Sequence, residues 1–247
     1  MRKGIIFADT HLSVKEPFHP SYLLVKKFAK DFKPDFVADL GDSLDLEYFA
    51  SFNKEKVSSV DGDWEGDVDL LNGELDWWQG ITKDYYWMQG NHDERAERMA
   101  VAINTAAMRT SLNYERRFHI KERGIKWKRL VDQPGKVGKL HLIHGWFYNI
   151  YHAKKTLEYL SGNVIYGHVH TRQTHSKHLT AFNQQIQGES IGCLCDKQPD
   201  YKKGVPSGWM NTFAVVYMDD KGNYNLYHIN IIKDSFIWEG REWRMDS

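Results

Sequence analysis

Apolar residues along this chain switch between two spacings. Lys3 to Ala8 is a continuous run, Gly4-Ile5-Ile6-Phe7-Ala8, that stops at Asp9. A short run without polar alternation predicts a strand buried on both faces. Asp35 to Leu40, stopped by Gly41, and Tyr85 to Gln89 repeat the pattern, as do Lys139 to Ile143 and Asn163 to Tyr166. Between these runs the spacing lengthens to three and four. Leu24, Val25, Phe28, Ala29 and Phe32 form one stripe, which with Pro20 near its start predicts a helix from His19 to Phe32. Leu70, Leu71, Leu75 and Trp78 predict a second over Asp67 to Ile81, and Glu94 to about Arg117 is helical in character. Ile150, Ala153, Leu157 and Leu160 give a further stripe. After His170 the pattern becomes sheet-like over Gln173 to Gly188, Phe213 to Met218 and Tyr224 to Ile232, with Lys221-Gly222-Asn223 as a hairpin turn. Asp196 to Met210, carrying Pro199, Gly204, Pro206 and Gly208, reads as a long loop.

Strand and helix thus alternate over the first two thirds, and strands dominate the last third. That order predicts an α/β fold whose sheet, or pair of sheets, is covered by helices. With no repeat, low-complexity tract or linker, residues 1–247 read as one domain. Composition leaves this picture unchanged: 41% hydrophobic and 27% charged residues are ordinary for a globular protein. A formal net charge of zero argues against polyanion attraction over the whole surface. Local clusters remain, a basic one from Arg116 to Arg129 and an acidic one from Asp61 to Asp76, and both read as solvated faces. Cys193 and Cys195 alternate across a predicted strand and so point apart, which argues against a mutual disulfide and suits reduced thiols. No apolar signal region or membrane-length run is present in the sequence, so the expectation is a cytoplasmic protein with no membrane partner.

Five short pieces carry candidate chemistry. They are Ala8-Asp9-Thr10-His11, Gly41-Asp42-Ser43-Leu44-Asp45, Gly90-Asn91-His92-Asp93, Ile143-His144-Gly145-Trp146 and Gly167-His168-Val169-His170. Singly, each is an ordinary turn. Jointly, their order and their placement after predicted strands matter, because ligands in α/β folds collect beyond the carboxyl ends of strands. The donors are carboxylates, imidazoles and one amide, with no thiolate. That set suits manganese, iron or zinc better than calcium or a structural zinc cluster. Asp39 reads as a solvated or locally bonded carboxylate, and Asp93 as the N-cap of the following helix.

The ordered set resembles the calcineurin-like metallophosphoesterase superfamily, whose pattern is D-x-H, G-D-x-x-D, G-N-H-(D/E), H and G-H-x-H. The match spans residues 9 to 170. The resemblance implies a four-layer α/β/β/α sandwich of two mixed sheets flanked by helices. It also implies two divalent metal ions, manganese first, with iron, zinc, nickel or magnesium as alternatives. Carried over, Asp9, His11 and His170 hold the first ion, Asn91, His144 and His168 the second, and Asp42 bridges them. A metal-bridging hydroxide then attacks phosphorus. His92 serves as general acid or electrostatic stabiliser, and Asp45 occupies the position that hydrogen-bonds this histidine and keeps it charged.

Protein phosphatases of the superfamily extend two of these motifs with arginines that clamp a phosphate dianion. The matching positions here hold Leu46-Glu47 and Gln89. Their loss favours a phosphodiesterase acting on a nucleic-acid or nucleotide substrate. A phosphomonoesterase and a non-catalytic binding scaffold are the alternatives. Trp146 and Trp209, the latter near Lys202 and Lys203, are candidates to stack on a base, and Arg172 is a candidate phosphate contact.

Overall fold

The computed structural model describes residues 1–50, 62–198 and 207–245. Lys202, Lys203, Asp61 and most of the predicted loop's Gly/Pro residues lie outside them. Strands β1 (Arg2–Phe7), β2 (Phe36–Asp39), β3 (Tyr85–Met88) and β4 (Lys126–Lys128) run parallel, and β10 (Thr212–Met218) and β11 (Tyr224–Asn230) extend them antiparallel. The resulting six-stranded sheet has the order β11-β10-β1-β2-β3-β4. A second, five-stranded sheet contains β5 (Gly135–Val137), β6 (Leu140–Ile143), β7 (Val164–Tyr166), β8 (Gln173–Leu179) and β9 (Gln184–Ser190), ordered β5-β6-β7-β9-β8. Within it β6, β7 and β9 are parallel. A hairpin, β12 (Ser235–Trp238) and β13 (Arg241–Arg244), stands apart.

The partition of the core shows the layering. Successive residues of β1 belong to different clusters: Ile5 and Phe7 pack with Leu24, Val25 and Phe28 of helix α1 (Pro20–Phe32) and with Leu71 and Trp78 of α2 (Trp64–Ile81). Ile6 instead packs with Phe36, Ala38 and Met88 against Val137, Leu140, Leu142 and Ile165 of the second sheet. The outer face of that sheet, through Ile143, Val164 and Tyr166, meets Leu160 of α6 (His152–Leu160). The order is therefore helices, sheet, sheet, helix, the four-layer α/β/β/α sandwich. The continuous apolar runs follow from it, since both faces of each central strand are covered and each fully buried side chain contributes about 1.5–3 kcal/mol.

Several expectations change in detail. The helical stretch Glu94 to Arg117 is three helices: α3 (Glu94–Ile103), α4 (Ala106–Ser111) and α5 (Tyr114–Arg117). Asn104 takes a left-handed conformation that ends α3, and the side chains of Thr105 and Asn113 cap the next two helices. Helix α2 begins at Trp64, ahead of the expected Asp67, because Asp63 accepts from the Gly66 amide as its N-cap. The charged clusters are not two independent solvated faces. Arg117 pairs with Glu65 and Arg123 with Asp76 across them. Asp67 and Glu74 are buried, Asp67 accepting from the Val14 amide and Tyr48, Glu74 from Tyr22 and Lys26. Among the described residues, no helix is long and apolar enough to cross a membrane.

Candidate metal centre

Strands β1, β2 and β3 are parallel in one sheet and β6 and β7 in the other, so the turns that follow them emerge together. These turns are bonded into one unit. The amides of Asp9, His11 and Leu12 donate to the carbonyls of Gly41, Asp42 and Ser43 at 2.9, 3.0 and 2.8 Å. The His168 amide donates to Asp9 Oδ2 at 2.9 Å, which ties the second sheet's loop to the first sheet's. Five of the seven expected ligands, Asp9, His11, Asp42, His168 and His170, have φ between 46° and 71°. That left-handed backbone costs a non-glycine residue about 1–2 kcal/mol, a strain that concentrates at functional sites. The motif glycines allow close approach. A Cβ on Gly90 would lie 2.2 Å from the Asp42 nitrogen, and one on Gly41, at φ +100°, 2.6 Å from the Gly90 nitrogen.

All seven expected ligands converge. Asp42, fully buried, stands at the centre: its Oδ2 lies 3.3 Å from His144 Nε2 and 3.9 Å from His11 Nε2. It belongs to two ligand clusters, one with His11 and His92, the other with His144 and His168. Asn91 Oδ1 is 3.0 Å from His144 Nε2, while His144 Nδ1 faces the Leu40 carbonyl at 2.9 Å, leaving Nε2 turned into the cluster. On the other side Asp9 Oδ1 is 3.3 Å from His170 Nε2, and the Nε2 atoms of His170 and His11 are 3.2 Å apart. Burial would lower the pKa values of His144 and His170. The carboxylates of Asp42 and Asp9 outweigh it and raise them to about 9 and about 10. His168, half-buried beside His144, is lowered to about 4 by desolvation and by the neighbouring imidazole.

His92 lies at the rim. Its Nδ1 is 2.8 Å from the Asp45 carbonyl and 3.0 Å from Asp45 Oδ1, and Asp45 also meets His11 Nδ1 at 3.3 Å. Burial works to raise the Asp45 pKa, but the bonds to the two histidines hold it well below the usual carboxylate range. For His92, burial lowers the pKa, Asp42 and Asp45 raise it, Arg95 opposes them, and the net direction is upward. Arg95, which sequence reading passed over, donates to the Asp45 carbonyl at 2.8 Å and sits 3.0 Å from His92 Nε2. A guanidinium has no acceptor, so with Arg95 docked there Nε2 accepts and the imidazole is neutral. The charged His92 expected from its bond to Asp45 therefore requires that Arg95 move off Nε2.

One buried carboxylate acts differently from its sequence expectation. Asp93 makes no side-chain cap bond to α3. It accepts from the amides of Asp42, Ser43, Leu44 and Gly90 and from the Tyr114 hydroxyl, at 2.9 to 3.2 Å, so it organises the ligand turns. Asp39 is locally bonded, one of the two alternatives its sequence position offered: buried, it accepts from the Gly41 amide and the Ser43 hydroxyl. No local pattern marks Asp93 for this work, because three of its four amide donors lie about fifty residues earlier.

A cavity of about 320 Å³ opens beside the cluster, lined by His11, Asp45, His92, His170, Cys195 and Trp209 among others. Of the two tryptophans, Trp209 reaches it, its ring centred 4.0 Å from that of His170. Trp146 packs instead on Tyr159 and the outer cluster of the second sheet, and Arg172 is exposed and outside the cavity lining. Imidazole nitrogens facing each other at 3.2 Å, with buried carboxylates among them, fit divalent cations, which would satisfy every donor at once.

No protein-family model matches the chain, and no curated protein sequence does. Solved structures do. Vacuolar protein sorting 29 from Cryptosporidium parvum is 14% identical, with 98% of this chain and 94% of that chain covered at a TM-score of 0.50. The chain has the metallophosphoesterase fold. Vps29 from Entamoeba histolytica complexed with zinc is 11% identical, covering 95% and 96% at a TM-score of 0.48. The nuclease MPE from Pseudomonas putida is 13% identical, covering 98% and 87% at a TM-score of 0.39. At such identity the likeness conveys fold, and any activity has to be argued from the site.

Proposed function

We propose that the protein is a dinuclear-metal-dependent phosphodiesterase that hydrolyses nucleic-acid or nucleotide phosphodiester bonds, with manganese as the working ion. The observation that carries this reading is the shared carboxylate: Asp42 belongs to two ligand clusters, and His11 of one of them faces His170 at 3.2 Å. Asp9, His11, Asp42 and His170 would hold one ion, and Asp42, Asn91, His144 and His168 the other. Bound there, a divalent pair supplies a nucleophilic water ionised near neutral pH and neutralises charge on the phosphoryl oxygens. His92 stands beside this position, oriented by Asp45, where it can hydrogen-bond the leaving oxygen. Arg95 limits when that can happen, since its guanidinium must move off Nε2 first.

Charge at the site favours a diester. Gln89 is used structurally, donating to Glu97 and accepting from the Leu130 amide, and Leu46 is buried, so neither position offers a cation. Arg95 is the guanidinium beside His92, and one such group matches a singly charged diester better than a dianion. Trp209, on the cavity wall, offers a face for a base.

With manganese present, the protein should hydrolyse bis(p-nitrophenyl) phosphate faster than p-nitrophenyl phosphate. A preference for the monoester would overturn the diester reading, and inactivity on every ester with both ions bound would overturn catalysis. His92→Ala should retain its metal while turnover falls by about 10²–10⁴-fold. Unchanged turnover would remove His92 from the mechanism.

A further inference from the structure

We infer that Cys195 is a sulfur ligand of the first ion position, which makes the two positions chemically unlike. The inference rests on the dinuclear reading above and adds a donor that the sequence pattern does not contain. The Cys195 sulfur and a ring nitrogen from each of His11 and His170 all lie within 4.8 Å of one another. Cys195 is only 8% exposed, and it lines the cavity together with those histidines. It arrives there for the same reason as the other donors. β9 runs parallel to β7, so the segment leaving β9 emerges at the edge where His168 and His170 turn back.

That segment is fixed at several points. The Leu194 amide donates to the Asp9 carbonyl at 3.1 Å, and the Cys193 amide to the Met210 carbonyl at 2.9 Å. Asn211 Nδ2 donates to the Cys195 carbonyl at 2.8 Å. The backbone of Cys195 is thus anchored while its sulfur stays with the histidines, the preorganisation expected of a metal ligand. Cys193 differs. It is fully buried, its thiol donates to the Cys195 carbonyl at 3.9 Å and lies against His170, but it joins none of the groups of mutually close ligand atoms. The two thiols are free.

The consequence is selectivity. A thiolate favours softer ions such as zinc or ferrous iron, whereas the oxygen and nitrogen donors of Asp42, Asn91, His144 and His168 suit manganese as well. The Cys195 side would therefore take zinc or iron in preference to manganese, and the opposite side would carry the manganese proposed above.

Cobalt titration of the metal-free full-length protein, anaerobic and reduced, tests the assignment. Cobalt bound to sulfur gives an intense near-ultraviolet charge-transfer band, which nitrogen and oxygen ligands do not. The band should appear in the wild type and in Cys193→Ser. It should vanish in Cys195→Ser, which should still bind cobalt at the opposite position by elemental count. Cobalt bound without the band in the wild type would overturn the inference, and this measurement needs no variant. A band that survives Cys195→Ser would overturn it too. If no cobalt binds at all, the metal-centre reading itself fails, and this assignment with it.

Discussion

His144 and His170 each face a buried carboxylate, Asp42 and Asp9 respectively, at 3.3 Å. Raised to about 9 and about 10, both are protonated at pH 7 when no ion is bound. A histidine ligates only as the neutral base, so loading metal at pH 7 should release these two protons per chain, in addition to those from the Cys195 thiol and an ionised water. The release should shrink as pH rises through 9 and 10. A pH-stat or a weakly buffered titration measures it, and loading without proton release would contradict the electrostatic picture. Asp39 gives a stability test. Burial raises its pKa to about 7, against 3.8 for the ordinary group. Between about pH 4 and pH 7 the folded protein holds a proton that the unfolded chain has lost. Stability from this group must therefore fall with rising pH, by at most about 1.4 kcal/mol per unit. Asp39→Asn should flatten that fall in denaturant titrations at a series of pH values. At this scale the sequence was informative about residue type and order, as the convergence of Asp9, His11, Asp42, Asn91, His144, His168 and His170 shows. It was silent about Arg95 and Cys195, which reach the site only by packing.

At the scale of elements, a single carboxylate joins two turns. Asp93 sits where α3 begins, and local rules assign it to capping, yet its oxygens accept four amides from the turns after β2 and β3. Asp93→Ala would leave those amides buried without an acceptor, at about 1–3 kcal/mol for each one not rescued by water. The expected result is a loss of at least about 3 kcal/mol in stability together with weaker manganese binding. Equilibrium unfolding and metal titration would show it, and an unchanged pair of values would return Asp93 to a capping role. Helix and strand periodicity was legible for α1, α2 and β1 to β3, whose faces are strongly patterned. It was not for β4, whose Lys126 and Lys128 are exposed at the end strand, nor for β12 and β13. Short pieces like these owe their conformation to pairing with distant partners.

Across the whole molecule, the candidate ligands divide between the two sheets. Asp9, Asp42 and Asn91 follow strands of the first, and His144, His168 and His170 follow strands of the second. Bound ions would therefore link the sheets as well as serve catalysis. Manganese at 100 times its Kd should add about 2.7 kcal/mol to stability, and a chelator should lower the melting temperature accordingly. A midpoint unmoved after confirmed removal of the ions would separate the centre from the fold's stability. The sequence by itself determined which segments are buried strands and amphipathic helices, because burial demands a periodicity that any stable version must carry. It also marked seven candidate donors, because ion chemistry restricts residue type. Only the tertiary structure decided the left-handed turns at the ligands, the reassignment of Asp93, the docking of Arg95 on His92 and the arrival of Cys195. Each of these depends on contacts between residues far apart in the chain, and no local pattern encodes such distances.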